Sequence, residues 1–221
     1  MKRTLRVTGK GCLSVAPDTI RVLLTLSDVE TEYAAALKTS TESTETLKQV
    51  IGSSGFDAND LKTLSFDVNV EYKSYLDKRT DTWENKPIGY RCTHRMKLEF
   101  PLDNQRLGTL LFALSSSGLR PEIDIEHTVA DPEAVRNRLI AAAVEDSQAK
   151  AKVLSKSAGV ALKGIVLIDY SRSSIDIVSH PMNACLDAMC ETQARKAAFS
   201  VDITPDDIRL DDNVTVVWEI E

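Results

Sequence analysis

The residues of this chain best suited to chemistry are thiol and imidazole side chains that recur at strand spacing. Cys92 and His94 lie two residues apart, and His127 occupies the same apolar phase of a later segment. Thiolate sulfur and imidazole nitrogen are ligands for zinc and other soft metals. A tetrahedral site needs a fourth ligand, which the pattern does not nominate, and buried cysteine usually behaves as a small apolar residue. We therefore predict no metal and no other cofactor, with Cys92, His94 and His127 as the only metal candidates.

A second set of reactive side chains, His180, Cys185 and Cys190, is spaced at intervals of five residues. This spacing differs from the close pairs of zinc fingers and ribbons. If residues 184–198 form a short helix, the two thiols point in different directions and cannot bridge locally. A thiol-based stress responder stays open as one hypothesis, and it requires an exposed thiol with a lowered pKa.

Patterns typical of catalysis are poorly developed. Gly9-Lys-Gly11 lacks the third glycine of a dinucleotide fingerprint, where Ser14 stands, and a strand follows instead of a helix. We interpret this glycine pair as a turn or bulge between paired strands. The sequence has three histidines and no Gly-x-Ser-x-Gly elbow. We predict no catalytic residue and a non-enzymatic protein, while an enzyme with a small-molecule or metal pocket near residues 171–207 remains the alternative.

Aromatic residues interleaved with lysine and arginine occupy residues 72–97. Tyr75, Trp83, Tyr90 and Arg91 are the types that anchor protein contacts, and the same mixture can bind single-stranded nucleic acid. The net charge of −6 argues against nucleic acid. These four residues are therefore a possible protein-interaction surface, with a plain solvated hairpin as the competing interpretation.

The elements that position these residues follow from hydrophobic periodicity. Residues 64–72 and 90–100 alternate strictly between apolar and polar side chains across a polar loop, which predicts an antiparallel hairpin with one wet face. A strand and a helix precede this hairpin, and a helix capped by Asp103 and another strand follow it. Residues 19–129 therefore spell β-α-β-β-α-β, the ferredoxin-like arrangement.

Residues 130–221 add a further portion to this unit. Asp131-Pro-Glu133 predicts the start of a long third helix that ends at Gly159. The strand over residues 164–170 is apolar in both phases, as expected for a strand covered on both faces. Residues 171–207 are irregular, and a last strand spans residues 208–220. Residues 5–7 are expected to pair beside the strand that starts at residue 19.

The predicted fold is a single α+β domain over residues 1–221, with mixed, mainly antiparallel sheets packed with three helices. A chain of 221 residues can bury enough surface to need no disulfide or metal. It has no apolar run of about 18–20 residues, which predicts no membrane span. Its N-terminus lacks the apolar stretch of a signal peptide, so we expect a cytoplasmic protein with reduced thiols unless a leader has been removed.

Several ordered motifs resemble the SIMPL domain family. They are Val7-Thr-Gly-Lys-Gly11 with Pro17-Asp18, Gly55 followed by Leu61-Lys-Thr63, Gly89-Tyr90, the alanine- and lysine-rich helix ending at Gly159, and Val214-Thr-Val-Val-Trp218. The resemblance spans residues 7–220 and implies a mixed α/β domain without agreed catalytic residues. It also implies a link to bacterial stress tolerance or, in animals, to an adaptor role in kinase signalling. Many bacterial members are exported.

The function that these observations favour is that of a non-catalytic interaction or scaffold protein. Long amphipathic strands and an alanine-rich helix suit self-packing, so we expect a homo-oligomer, a possible protein partner and no nucleic-acid partner.

Overall fold

The computed structural model describes residues 3–77, 82–171, 176–179 and 203–221. The chain divides into two compact units. The first comprises Met1–Asp18, Thr128–Ser179 and Pro205–Glu221, and the second comprises Thr19–His127 and His180–Thr204. Three helices and eight strands in the described residues confirm the α+β class. The single domain over residues 1–221 stays a prediction.

In chain order, the elements are β1 (Thr4–Val15), β2 (Thr19–Glu30), α1 (Tyr33–Ser53), β3 (Lys62–Asp77), β4 (Thr82–Pro101), α2 (Asn104–Ser116), β5 (Glu122–Thr128), α3 (Pro132–Ala158), β6 (Leu162–Asp169), β7 (Val178–Ser179) and β8 (Ile208–Ile220). A short 3-10 turn, Ala58–Asp60, lies between α1 and β3. The predicted helix over residues 184–198 lies outside the described residues.

A three-stranded antiparallel sheet in the order β1-β8-β6 forms the first unit, with α3 packed against it. β1 and β8 pair without a register shift from Thr4 opposite Glu219 to Val15 opposite Ile208. The predicted pairing of residues 5–7 beside the strand at residue 19 is therefore wrong. A cluster of buried apolar residues lies between this sheet and α3: Val7, Ala143, Ala151, Val214, Val216 and Trp218.

Gly9 and Gly11 lie inside β1, so the predicted turn or bulge at these glycines is also wrong. A Cβ atom on Gly9 would lie 2.0 Å from the carbonyl oxygen of Ala143, and one on Gly11 would lie 2.2 Å from that of Leu139. Glycine in a strand often marks a place where another backbone approaches closely. The two glycines let the backbone of α3 rest directly on β1.

Both ends of α3 follow the predicted capping chemistry. The Asp131 side chain accepts a hydrogen bond of 2.9 Å from the backbone N–H of Ala134, and Pro132 occupies the first helical turn. Gly159 ends the helix in the left-handed conformation with φ of 66°. A side-chain cap and a C-terminal glycine thus define the limits of the longest helix described.

The second unit contains a sheet in which β3, β4, β2 and β5 lie side by side in that order. β3 and β4 form the predicted antiparallel hairpin, and β4 pairs antiparallel with β2. α1 packs against β2 and β4. Fourteen buried apolar residues from β2, β4, α1, α2 and the loop after α1 make the core, including Ile20, Leu47, Leu98 and Leu110. The element order β-α-β-β-α-β matches the expectation, while the ferredoxin-like assignment stays a prediction.

β6 differs from its prediction as a strand covered on both faces. Its residues from Gly164 to Asp169 are all exposed, because α3 packs mainly against β1 and β8 and leaves β6 largely uncovered. β6 also lies at the edge of its sheet and pairs only with β8 among the described strands. Two register shifts against β8 lie between Leu162 and Leu167, and residues 167–169 pair regularly.

Candidate interaction surface

The β3–β4 hairpin continues beyond the strand that supports it. β2 pairs with β4 only from Tyr90 to Pro101. Residues 72–77 pair with residues 82–87, and the described part of the chain supplies no further strand beside them. A register shift between Glu71 and Tyr72 marks the start of this two-stranded segment. We call residues 72–77 and 82–89 the hairpin ribbon.

Large apolar side chains are exposed along the hairpin ribbon. Trp83 is 72% exposed and Tyr72 57% exposed, and the other three are Tyr75, Leu76 and Ile88. Leu76 lies opposite Trp83 in the pairing. Isolated two-stranded hairpins are at best marginally stable in water, and contiguous exposed apolar surface is typical of interaction sites. Tyr72, Leu76 and Trp83 therefore form an exposed apolar face on one side of the hairpin ribbon, while Tyr75 lies on the other side.

Two of the predicted interaction residues support the base of the hairpin ribbon instead of lying on it. Tyr90 is half-buried and packs edge-on against Tyr33, with ring centroids 5.6 Å apart. Arg91 donates two hydrogen bonds, of 2.8 and 2.9 Å, to the Glu71 carboxylate, and a third of 3.1 Å to the Ser27 hydroxyl. The Arg91 guanidinium lowers the pKa of Glu71 through these bonds. Tyr75 and Trp83 are thus the exposed members of the predicted set.

Gly89 fixes the junction between the ribbon and the sheet. This glycine is buried, and a Cβ atom at its position would lie 2.3 Å from the carbonyl oxygen of Glu30. From the sequence, Gly89 was part of a family motif only, and the predicted interaction residues did not include Tyr72, Leu76 or Ile88. The signal for Tyr72 was available, because it continues the alternating apolar phase of β3 into the ribbon.

His94 lies in the interior of the second unit with a partner at each ring nitrogen. Its Nδ1 is 3.0 Å from the Thr44 hydroxyl and its Nε2 is 2.9 Å from the Thr63 hydroxyl. Thr44 donates its own proton to the Ser40 carbonyl at 2.8 Å, so we infer that His94 Nδ1–H donates to Thr44. Burial, together with the charge of Lys48, lowers the pKa of His94. A neutral, fully hydrogen-bonded histidine is a packing residue.

The structure does not assemble the predicted metal candidates into a site. Cys92 is buried and free, and His127 is fully buried with no hydrogen-bond partner at either nitrogen among the described residues. Burial lowers the pKa of His127. Within residues 3–77, 82–171, 176–179 and 203–221, no group of three His, Cys, Asp or Glu side chains could hold a metal ion.

Both alternative functions were predicted on residues that lie mostly outside the described ranges, namely a pocket near residues 171–207 and the thiols of the same segment. A groove of about 570 Å³ in the first unit is lined by Arg6, Val7, Thr8, Ala149, Lys150, Val153 and Leu154. It contains no nucleophile paired with a base, and it is not formed by residues 171–207. The proposed thiol pair Cys185 and Cys190, with His180, lies outside the described residues, while Cys12 is exposed on β1.

Comparisons with known proteins define the family and correct one prediction. A family model described as SIMPL, a protein of unknown function (DUF541), matches residues 5–218. The 26 kDa periplasmic immunogenic protein of Brucella abortus (strain S19) is 26% identical over 220 residues, which cover 98% of this chain and 84% of that protein. Because this relative is named as periplasmic, the predicted cytoplasmic location is wrong.

A structural likeness adds no argument on fold or function. CutA from Synechococcus elongatus aligns with 59% of this chain and 94% of its own, at 14% identity and a TM-score of 0.21. A score this low carries no conclusion. Separately, none of the helices in the described ranges has the length and hydropathy that crossing a membrane would require.

Proposed function

Since the chain belongs to the SIMPL family of proteins of unknown function, we propose that it acts without catalysis, as a self-assembling interaction protein whose contact surface is the hairpin ribbon. The exposure of Trp83 and Tyr72 on this ribbon is the observation that supports the proposal. Tryptophan and tyrosine dominate the binding energy of protein interfaces when a partner covers them. A second copy of the chain presents the same apolar surface, so an interface between two ribbons would bury both sets of side chains at once.

The charges near the ribbon fit a contact that is apolar at its centre and polar at its rim. Lys73 lies 5.7 Å from the ring of Tyr75, and Lys86 pairs with Glu84 at 3.9 Å. These charged groups are partly exposed and already have local partners, so a contact that covers the aromatic side chains need not bury an isolated charge. This arrangement resembles the apolar core and polar rim of protein interfaces.

The experiment measures assembly by sedimentation velocity over a micromolar concentration series. We expect the wild type to assemble, and Tyr72→Ser and Trp83→Ser each to weaken assembly about 30-fold or more, because each hot-spot aromatic contributes about 2 kcal/mol. Phe112→Ser is the matched control, since Phe112 is 62% exposed on α2 and lies off the ribbon. A wild type that remains monomeric throughout the series would refute self-assembly. If Phe112→Ser weakens assembly as much as the ribbon variants do, the ribbon is not the contact surface.

We also propose that the protein works in the periplasm, as the name of the Brucella relative suggests. The similarity covers 98% of the chain, so it is not restricted to one of the two units. Fractionation of cells that express the complete gene tests this location, and recovery of the protein with a cytoplasmic marker would contradict it. The stress-related role implied by the family resemblance stays a prediction.

A further inference from the structure

β6 presents an apolar edge in the first unit. The four consecutive residues Ile165, Val166, Leu167 and Ile168 are between 45% and 54% exposed. One side of β6 pairs with β8, and the described strands leave its other side unpaired. Natural proteins usually protect such edges with charges, proline or bulges. In β6 the protection is limited to two register shifts against β8, and no charge or proline interrupts the apolar run.

Opposite charges bracket this run, and their positions select a partner and a register. Lys163 precedes it and Asp169 follows it. If two copies of β6 pair antiparallel about Val166, Lys163 of each copy lies opposite Asp169 of the other, and Ile165 lies opposite Leu167. Directly opposed cross-strand residues lie about 5 Å apart, so both ends form opposite-charge pairs. Sliding the strands by two residues either way places Lys163 opposite Leu167 or Ser171 and loses both pairs.

The neighbouring charges extend this complementarity. Asp169 already contacts Arg6 at 3.5 Å, and Lys163 contacts Glu221. In the paired arrangement each end of the interface would carry a row of four charges. Arg6 and Asp169 come from one copy, Lys163 and Glu221 come from the other, and the charges alternate in sign along the row. Gly164 has open space at its Cβ position, so its side of the strand offers no steric obstacle to an approaching strand.

We propose that β6 is a self-pairing edge, which joins two copies of the chain into a continuous sheet through antiparallel pairing centred on Val166. The inference rests on the proposed self-assembly and names a surface for it that is separate from the hairpin ribbon. The partner is a second copy of the chain, because β6 carries both charges of each pair. A two-fold axis at Val166 places Lys163 of each copy opposite Asp169 of the other.

The test uses charge reversal at the two ends of β6. Lys163→Glu or Asp169→Lys alone places like charges opposite each other at both ends, so each variant should assemble at least about tenfold more weakly than the wild type. An equimolar mixture of the two variants restores opposite charges at both ends, and native mass spectrometry should show the mixed species in excess of either variant alone. Lys38→Glu, an exposed change of the same charge on α1, is the control and should assemble as the wild type does.

The outcomes separate this inference from the function on which it rests. A monomeric wild type refutes self-assembly itself. A wild type that assembles, with single variants that assemble equally well, overturns only the pairing of β6. Weak assembly of both variants without recovery in the mixture also overturns it, since the pairing predicts recovery. If the single variants unfold more easily than the wild type but keep its oligomeric mass, another part of the same chain covers β6, and the self-pairing is overturned as well.

Discussion

Replacing Gly9 by alanine tests whether α3 rests on the backbone of β1. The added Cβ atom would lie 2.0 Å from the carbonyl oxygen of Ala143 and 2.4 Å from the backbone nitrogen of Ser147. Both contacts are to helix backbone, so no side-chain rotation can relieve them. Ordinary van der Waals contact starts at 3.4 Å, so α3 and β1 would have to separate by about 1.4 Å.

The expected cost follows from what this separation opens. Ala143, Ser147 and Ala151 are buried on the face of α3 that meets β1 and β8, together with Val7 and Val216. Inserting atoms into a well-packed interior costs about 1–3 kcal/mol, and more when backbone must move. We therefore expect Gly9→Ala to lower the free energy of unfolding by about 2–4 kcal/mol. In a chain of this size that corresponds to a melting temperature lower by roughly 5–15 °C.

Urea unfolding followed by circular dichroism measures this change. Gly52→Ala is the matched control, because Gly52 lies in the last turn of α1 with nothing within 4 Å of the added Cβ atom. Alanine is a better helix former than glycine, so the control should be neutral or more stable by up to about 1 kcal/mol. If Gly9→Ala unfolds within 0.5 kcal/mol of the wild type (roughly the spread of neutral surface substitutions), the close approach of α3 is incorrect.

Two further predictions concern the buried histidines. His94 and His127 have lowered pKa values in the folded state, so their contribution to stability is present above the unfolded pKa of about 6.5 and is lost as pH falls through the folded pKa. Urea unfolding between pH 7.5 and 5.5 should show the free energy of unfolding falling by up to about 1.4 kcal/mol per pH unit for each histidine. If the double variant His94→Gln, His127→Gln has the same pH profile as the wild type, the histidines are not the cause of the pH dependence. Thr63→Val should cost about 1 kcal/mol at pH 7.5 by leaving His94 Nε2 without its hydroxyl partner, whereas Thr41→Val on the exposed face of α1 should cost less.

Local patterns in the sequence were enough to predict most elements. Strict alternation in β3 and β4 predicted the hairpin, and the pairing of the two strands confirms it. The predicted covered face exists in β4 only, because Leu64, Phe66 and Val70 in the apolar phase of β3 are exposed. Asp131 and Gly159 predicted the limits of α3, since capping depends on residues within one helical turn. These features depend on interactions between residues that are close in the sequence, so they can be predicted from local patterns.

Long-range pairing and close backbone contacts could not be predicted in this way. β1 pairs with β8, about 200 residues away, and nothing near β1 specifies that partner. The role of Gly9 depends on where α3 lies, so its local pattern suggested a turn instead. The apolar run in β6 fits both a buried strand and an exposed edge, because composition does not report what covers a strand.

The candidate site shows the same division. Aromatic and cationic composition placed Tyr75 and Trp83 among the interaction candidates, and both are exposed, but the support given to Tyr90 and Arg91 depends on α1, β2 and Glu71. The cytoplasmic prediction relied on the pattern of the first residues, and it is wrong because the Brucella relative is named as periplasmic. The expectation of reduced thiols depended on the same premise, since periplasmic proteins can retain disulfides.

The position of β8 has a consequence for the order of folding during synthesis. β8 is the central strand of the sheet in the first unit, yet it follows β1 and β6 in the chain. β1 and β6 therefore have no partner in that sheet until residues 208–220 have left the ribosome. A chain arrested before β8 would expose two unpaired strands, one of them apolar on both faces. Chaperones that bind the nascent chain would thus meet the first unit with its sheet unformed until β8 has been synthesised.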